Sequence, residues 1–354
     1  MVASQIAPEQ GAVVVGVDTH KHVHHAAVLA VTGQLLADAA FPTSTAGYQA
    51  LIVWAAGFGT VIRVGVELTG SYGAGLTRHL TAAGLAVVEV NTTDKATRAR
   101  RGKDDRIDAI AAAQKVLASM ATATPKDTTG PVESIRMLLL TRNSAIRDRT
   151  AAINQLRNLV ITAPAALRAR LETPRRAALL NAVEAHPVNR ARLADPAEAT
   201  VFALQQLVRR IRDLDTEIRD LDKAMTELVT DTAPTLLAQP QIGVQTAAQL
   251  LVTAAANIDR FGSEAQFAHL TGTAPIPVSS GKTTRMRLHR GGDRQANRAI
   301  HLIAIGRLKN HPPTKAYVAK KLAEGKSKKD AIRSLKRYIA RGCYQALKTD
   351  LNPT

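Results

Sequence analysis

Residues 12–18, AVVVGVD, are a run of small and β-branched side chains that stops at a single acid. A short apolar run of this kind reads as a buried strand, and the order of the elements after it limits the folds open to the chain. HVHHAAVLA (22–30) reads as a second strand, and GQLLADAAF (33–41), after the turn at Gly33, as a third. TAGYQALIVWAA (45–56) has helical spacing, VIRVGVEL (61–68) is another strand, and GAGLTRHLTAAG (73–84) is a helix closed by Gly84. LAVVEV (85–90) is a further strand and DDRIDAIAAAQKVLA (104–118) an Ala-rich helix. Two hairpin-joined strands ahead of the first helix exclude a plain Rossmann unit, in which strands and helices alternate from the start.

That order suits an α/β domain of the RNase H-like kind over residues 1–125. Residues 126–235 change character, with few strand signals and many Leu, Ala and Arg. From Leu204 the apolar positions Leu207, Ile211, Leu214, Ile218, Leu221, Met225 and Leu228 follow at alternating spacings of three and four, a coiled-coil seam. Its partner is either a second copy of the chain or the segment 135–160 of the same chain. Residues 236–354 form a third, mainly helical unit. LAQPQIGVQTAAQLLVTA (237–254) resembles a helix-hairpin-helix, whose turn offers backbone N–H groups to phosphate. TGTAPIPVSSGKTTRMRLHRGG (271–292) is expected to be a loop carrying many cations, followed by basic amphipathic helices.

Charge narrows the function. Lys and Arg number 47 against 29 acids, a net of +18 over 354 residues, and such a chain attracts polyanions, above all nucleic acid. Aromatic residues are only 3%, too few for a single-strand binder built on stacked bases, so contact with a phosphate backbone fits better. The single cysteine, Cys343, excludes an internal disulfide and a thiolate zinc site. With no signal peptide visible and no stretch of about 18 continuous apolar residues, a cytoplasmic protein is expected.

Asp18 ends the first strand and Glu67 the fourth, while Asp105 and Asp108 lie three apart near the start of a helix and can face one side. In an RNase H-like sheet the first and fourth strands are neighbours and a later helix crosses near their ends, so the four carboxylates can converge. Acids so gathered repel unless a cation joins them, and hard oxygen ligands suit Mg²⁺ or Mn²⁺. Two such ions about 4 Å apart would clamp a scissile phosphate. His20, His22 and His24 alternate, so one strand face would present all three, but no second cluster completes a zinc site. Lys95, Arg98, Arg100, Arg101 and Lys103 precede the acid pair and suit a phosphate backbone.

The motifs GVDTHK at Asp18, VELTGSYGAGL at Glu67, GKDDRIDA at Asp105 and Asp108, IGVQTAAQLL (242–251), FAHLTGTAPIPVSSGKTTRMRLHRGGDRQANRAI (267–300) and KSKKDAIRSLKRYIARG (326–342) together resemble the DEDD transposases of the insertion-sequence-110 group, including its insertion-sequence-1111 branch. The resemblance implies a RuvC-like first domain, a coiled-coil middle and a C-terminal transposase domain. It implies a serine that attacks DNA, here Ser280 with Ser279 as the alternative, and a noncoding bridge RNA that pairs with donor and target DNA. A serine hydroxyl must be activated by a base or a metal. Lys282, Arg285, Arg287, Arg290 and Arg294 surround or follow it and suit phosphate clamping. The implied protein is an RNA-guided, Mg²⁺-dependent DNA recombinase acting as a homo-oligomer, dimer or tetramer. A hydrolytic RuvC-like nuclease and a non-catalytic nucleic-acid scaffold are the alternatives.

Overall fold

The computed structural model describes residues 11–91, 104–173, 175–281 and 283–352. They fall into two compact units, Met1–Gly130 with Ala254–Gln266, and Pro131–Thr253 with Phe267–Thr354. Among the described residues no helix is long and apolar enough to cross a membrane.

The first unit is built on a five-stranded mixed sheet in the order β3-β2-β1-β4-β5. Its strands are β1 (Ala12–Thr19), β2 (Val23–Ala30), β3 (Leu35–Pro42), β4 (Thr60–Glu67) and β5 (Val87–Val90). β1, β2 and β3 pair antiparallel, whereas β4 lies parallel to β1 and β5 parallel to β4. Every strand expected in this part of the sequence forms. So do helices α1 (Thr45–Ala56), α2 (Ala74–Ala82) and α3 (Asp105–Leu117). The arrangement is compatible with an RNase H-like domain.

Alternation along the strands decides which residues face which helix. Val13, Val15 and Val17 of β1, with Val64 and Val66 of β4, pack beneath Leu51 and Ala55 of α1 and Leu76 and Leu80 of α2. The intervening positions turn to the other face, where Val14 of β1 and Ala27 and Leu29 of β2 meet Ala109, Ala112, Ala113 and Val116 of α3. Asp18 and Glu67 belong to this second face. So do Gly16 and Gly65, which pair with each other in the β1–β4 register.

The two glycines let α3 sit directly on the sheet. A Cβ on Gly16 would lie 2.1 Å from the backbone nitrogen of Ala113 and 2.3 Å from the carbonyl oxygen of Ala109. One on Gly65 would lie 2.4 Å from a methyl of Val116. At these two positions the sheet carries no side chain, so the backbone of Ala109 and Ala113 approaches β1 and the Val116 side chain approaches β4. The N-terminal turn of α3 is thereby carried to the C-terminal end of β1, where Asp105 reaches His20.

The second unit is largely helical. α4 (Gly130–Thr162), α5 (Ala165–Leu171), α6 (Arg176–Ala185) and α7 (Pro196–Thr232) share one core. In it Leu204, Leu207 and Ile211 of α7 bury against Ala152 and Leu156 of α4 and Leu179, Leu180 and Val183 of α6. Arg142 and Arg149 of α4 pair with Asp222 and Asp215 of α7, so the two long helices run antiparallel. Of the two partners open to the heptad seam, the structure shows the one within the same chain.

After α8 (Pro234–Leu237), α9 (Val244–Ala254) and α10 (Glu264–Leu270) comes a departure from expectation. Residues 275–288, expected as loop, form an antiparallel hairpin of β6 (Pro275–Ser280) and β7 (Thr283–Leu288). Pro275 and Pro277 misled because proline lacks the N–H that a central strand needs. In a two-stranded ribbon each strand keeps an open edge, where proline is tolerated. Gly281, at φ 55°, opens the two-residue turn. Helices α11 (Arg294–Asn310), α12 (Pro312–Ala323) and α13 (Lys328–Leu351) complete the unit.

If close approach of α3 depends on Gly16, Gly16→Ala should destabilise the protein by about 1–3 kcal/mol, the range for overpacking a core. Gly11→Ala, where an added Cβ meets nothing within 4 Å, should leave stability near wild type in the same denaturant titration.

Candidate metal centre

β1 and β4 pair in register as far as Val17 and Val66, so Asp18 and Glu67 are the next residues on adjacent parallel strands. Both are buried, at 5% and 2% exposure. The Thr19 hydroxyl donates to the Glu67 carbonyl oxygen at 3.1 Å and ties the two strand ends together. Directly after Glu67 the chain turns through Leu68, whose φ of 50° is unusual for a bulky residue. The backbone N–H groups of Ser71 and Gly73 both donate to its carbonyl oxygen.

Asp104 caps α3, its side chain accepting from the Arg106 N–H at 3.0 Å. This cap starts the helix so that Asp105 and Asp108 occupy its first turn. Asp108 is buried and Asp105 lies half-exposed at the rim. A second anchor fixes that turn from the side: Arg106 Nε donates to Asp38 Oδ1 of β3 at 2.7 Å, and Asp38 Oδ2 lies 3.0 Å from His25 Nε2. Burial alone would push the Asp38 carboxyl up, but the hydrogen bonds from His25 and Arg106 outweigh it and hold the group below the usual carboxylate range.

The structure brings Asp18 and Asp105 together around a residue that the sequence pattern did not assign to the site. His20 Nε2 lies 3.1 Å from Asp18 Oδ2 and 3.0 Å from Asp105 Oδ1. One ligand atom from each of the three residues lies within 4.8 Å of the others, the spacing of a shared cation. Burial raises the Asp18 pKa above the ordinary value; His20 opposes that shift, while Asp105 and Asp108 add to it. A buried carboxylate beside two more carboxylates, with an imidazole between, is a donor set that suits a divalent ion. Asp108 shares the field at Asp18, and Glu67 adjoins it through strand register.

The histidines do not act as one face. β2 begins at Val23, so His20 and His22 lie in the preceding turn, and His22 is exposed. His24 is fully buried, its ring stacked on Tyr48 at 5.7 Å. Its Nδ1 accepts the backbone N–H of His20 at 3.4 Å. Burial, with His20 nearby, holds its pKa down to about 4, so His24 is a neutral acceptor that helps place His20. The signal for His20 was its position two residues after the strand-ending acid, in DTH; reading it with the alternating set hid that.

The other expected site residues lie elsewhere. Lys95, Arg98, Arg100, Arg101, Lys103 and Lys282 fall outside the described residues. The backbone of Ser279 and Ser280 ends β6 at the hairpin tip in the second unit, and Arg285 is in β7; their side chains also fall outside the description. Arg287, Arg290 and Arg294 are exposed.

Comparison with known proteins places this geometry. A family model for DEDD transposases of the IS110 type matches residues 15–163. A second, for the transposase IS116/IS110/IS902 family, matches residues 233–319. The chain is 32% identical over 142 residues to the insertion element IS900 uncharacterized 42 kDa protein of Mycobacterium paratuberculosis, covering 39% of this chain and 35% of that protein. It is 36% identical over 106 residues to the insertion element IS110 uncharacterized 43.6 kDa protein of Streptomyces coelicolor, covering 30% of this chain and 26% of that protein. The chain thus spans about a third or less of the length of these curated relatives.

A shared cation makes a direct prediction. Titration with Mn²⁺, followed by its electron spin resonance, should show a bound ion. Asp18→Asn and Asp105→Asn should each weaken it by about 10-fold or more, as expected for loss of a metal-site group. Equal affinity in wild type and both variants would place the ion elsewhere.

Proposed function

This chain belongs to the IS110 family of insertion-element transposases, and on that premise we propose that it is the DNA transposase of an insertion sequence. It cuts and rejoins donor and target DNA in a reaction that depends on Mg²⁺, with Mn²⁺ as substitute, and is guided by a noncoding bridge RNA. The metal is held by Asp18, Glu67, Asp105 and Asp108, and the nucleophile is Ser280, or its neighbour Ser279. The active form is a homo-oligomer. The first domain, residues 1–125, is RNase H-like, the middle is residues 126–235, and the transposase domain is residues 236–354. The observation that carries the proposal is the approach of Asp18, His20 and Asp105 to within 4.8 Å beneath the first turn of α3.

The protein's own groups divide the work. Asp18, buried and crowded by Asp105 and Asp108, is the fixed ligand, and half-exposed Asp105 closes the solvent side. His20, with Nε2 within reach of both carboxylates, offers the third donor atom. When bound, a divalent ion supplies Lewis acidity and charge neutralisation to a reacting phosphoryl group. The Ser280 hydroxyl attacks phosphorus: its Oγ–P bond forms as the P–O bond to the adjoining deoxyribose breaks. The serine proton is given up and the departing deoxyribose oxygen gains one. One phosphate ester replaces another, so the reverse attack rejoins DNA without an external energy source. Arg287, Arg290 and Arg294 are exposed and, with Arg285, Lys282 and the cations at 95–103, suit the phosphates of a bound polynucleotide.

The decisive assay is incubation of the protein with its element's flanking DNA, the bridge RNA and Mg²⁺, followed by denaturing electrophoresis. A covalent protein–DNA adduct is expected in wild type. It should fall by about 100-fold or more in Ser280→Ala and in Asp18→Asn, comparable to removing a catalytic group. Free 5′-phosphate ends without adduct, and cleavage that survives loss of both serines, would instead establish a hydrolytic nuclease. Binding without cleavage, indifferent to Asp18→Asn, would establish a scaffold.

A further inference from the structure

α11 and α13 pack together in the second unit and hold a cation between them. Lys336 of α13 is 7% exposed, and its Nζ donates to Asn297 Oδ1 of α11. Asn297 is otherwise committed: its Nδ2 donates to the carbonyl oxygens of Thr271 at 2.9 Å and Gly272 at 2.8 Å. A neutral amide oxygen is therefore what meets the ammonium.

The titratable groups beside Lys336 bring it no counter-charge. Arg333 lies one turn back on α13, and His301 lies one turn beyond Asn297 on α11; both are exposed. Burial and Arg333 both depress the Lys336 pKa, and burial and Lys336 depress that of His301. Among the described residues no carboxylate pairs with Lys336. Asp330, the nearest acid along α13, accepts from Arg333 Nη1 at 3.0 Å and from the Ser327 hydroxyl at 2.6 Å. A buried charge is ordinarily compensated by a counter-charge or is neutralised. This one has beside it an exposed cation, Arg333, and an imidazole whose charged form burial and Lys336 disfavour.

We propose that Lys336, with His301 and Arg333, forms a phosphate site in which a phosphodiester of a bound polynucleotide supplies the anion the protein itself lacks. An ammonium has three N–H donors, and Asn297 uses one, leaving two for phosphate oxygens. Through Asn297 the same network reaches Thr271 and Gly272, at the foot of the hairpin that begins at Pro275. A phosphate bound here would touch, through Asn297, the segment that leads into the hairpin. The inference deepens the reading of the chain as a nucleic-acid enzyme and rests on it.

The test uses the full chain, titrated with labelled duplex DNA and with single-stranded RNA of the same sequence over a series of salt concentrations, alongside thermal melting of the free protein. Lys336→Met keeps most of the stem's volume and removes the charge. Near physiological salt its affinity should fall by about 10-fold for the polynucleotide that fills the site. The slope of log K against log salt should shrink by about 0.9 for a duplex or about 0.7 for a single strand. Its melting temperature should hold or rise, because an uncompensated buried ammonium is gone. The arm that loses affinity identifies the source of the phosphate. Lys309→Met, an exposed lysine at the end of α11, should change neither quantity appreciably. A Lys336→Met protein that melts lower yet binds both polynucleotides as wild type does would make the lysine structural and overturn the proposal. If that variant does not fold, the exposed Arg333→Gln decides: a reduced salt slope supports the site and an unchanged one overturns it. Wild-type protein that binds neither polynucleotide would remove the broader reading along with this one.

Discussion

The candidate site depends on one contact, the close approach of α3 to β1 and β4 at Gly16 and Gly65, where the sheet carries no side chain. Gly16 and Gly65 face each other across the strand pair, and each precedes an acid by two positions, as Gly-Val-Asp in β1 and Gly-Val-Glu in β4. The period of two in a strand puts glycine and acid on the same face. The helix settles on the glycines, and its first turn then brings Asp105 and Asp108 beside Asp18. On α3 the matching choice is Ala109, Ala112 and Ala113, all fully buried. Packing that stabilises the fold is thus the same packing that crowds carboxylates, an arrangement whose repulsion asks for a cation.

Around that contact, polar side chains fix what packing alone leaves loose. Asp104 sets where α3 begins, and Arg106 pins its first turn to Asp38 of β3. His24, neutral and stacked on Tyr48, holds the backbone of His20. Each removes a freedom that would let Asp18, His20 and Asp105 drift apart. Preorganisation of this kind lets a weakly held divalent ion find its ligands already in place.

Much of the first unit was legible in the sequence because its signals are local. Valine runs, a glycine after a helical stretch and an Ala-rich helix each announce an element, and the order of elements restricts the sheet. Asp18, Glu67, Asp105 and Asp108 stood out in the sequence because they end strands or open a helix, and the structure brings Asp18 and Asp105 to one place. His20 was missed because its place depends on where β2 begins: at Val23, three residues on, the strand leaves His20 in a turn beside the acids. The hairpin at 275–288 was hidden by prolines that are tolerated only because the ribbon has two open edges. The partner of the seam on α7 was not legible at all. A heptad pattern says that a face is buried; the packing of Leu204, Leu207 and Ile211 on Ala152 and Leu156, with the pairing of Arg142 with Asp222 and Arg149 with Asp215, shows against what.

The central claim is that the descent of α3 onto the glycine pair makes one cation site from residues far apart in sequence. Crystals soaked in Mn²⁺ and measured at its absorption edge test this directly. The account predicts an anomalous peak bonded to carboxylate oxygens of both Asp18 and Asp105, at about 2.0–2.2 Å as for small hard divalent ions. Saturating Mn²⁺ that leaves this position empty, with the two carboxylates still facing His20, would contradict it.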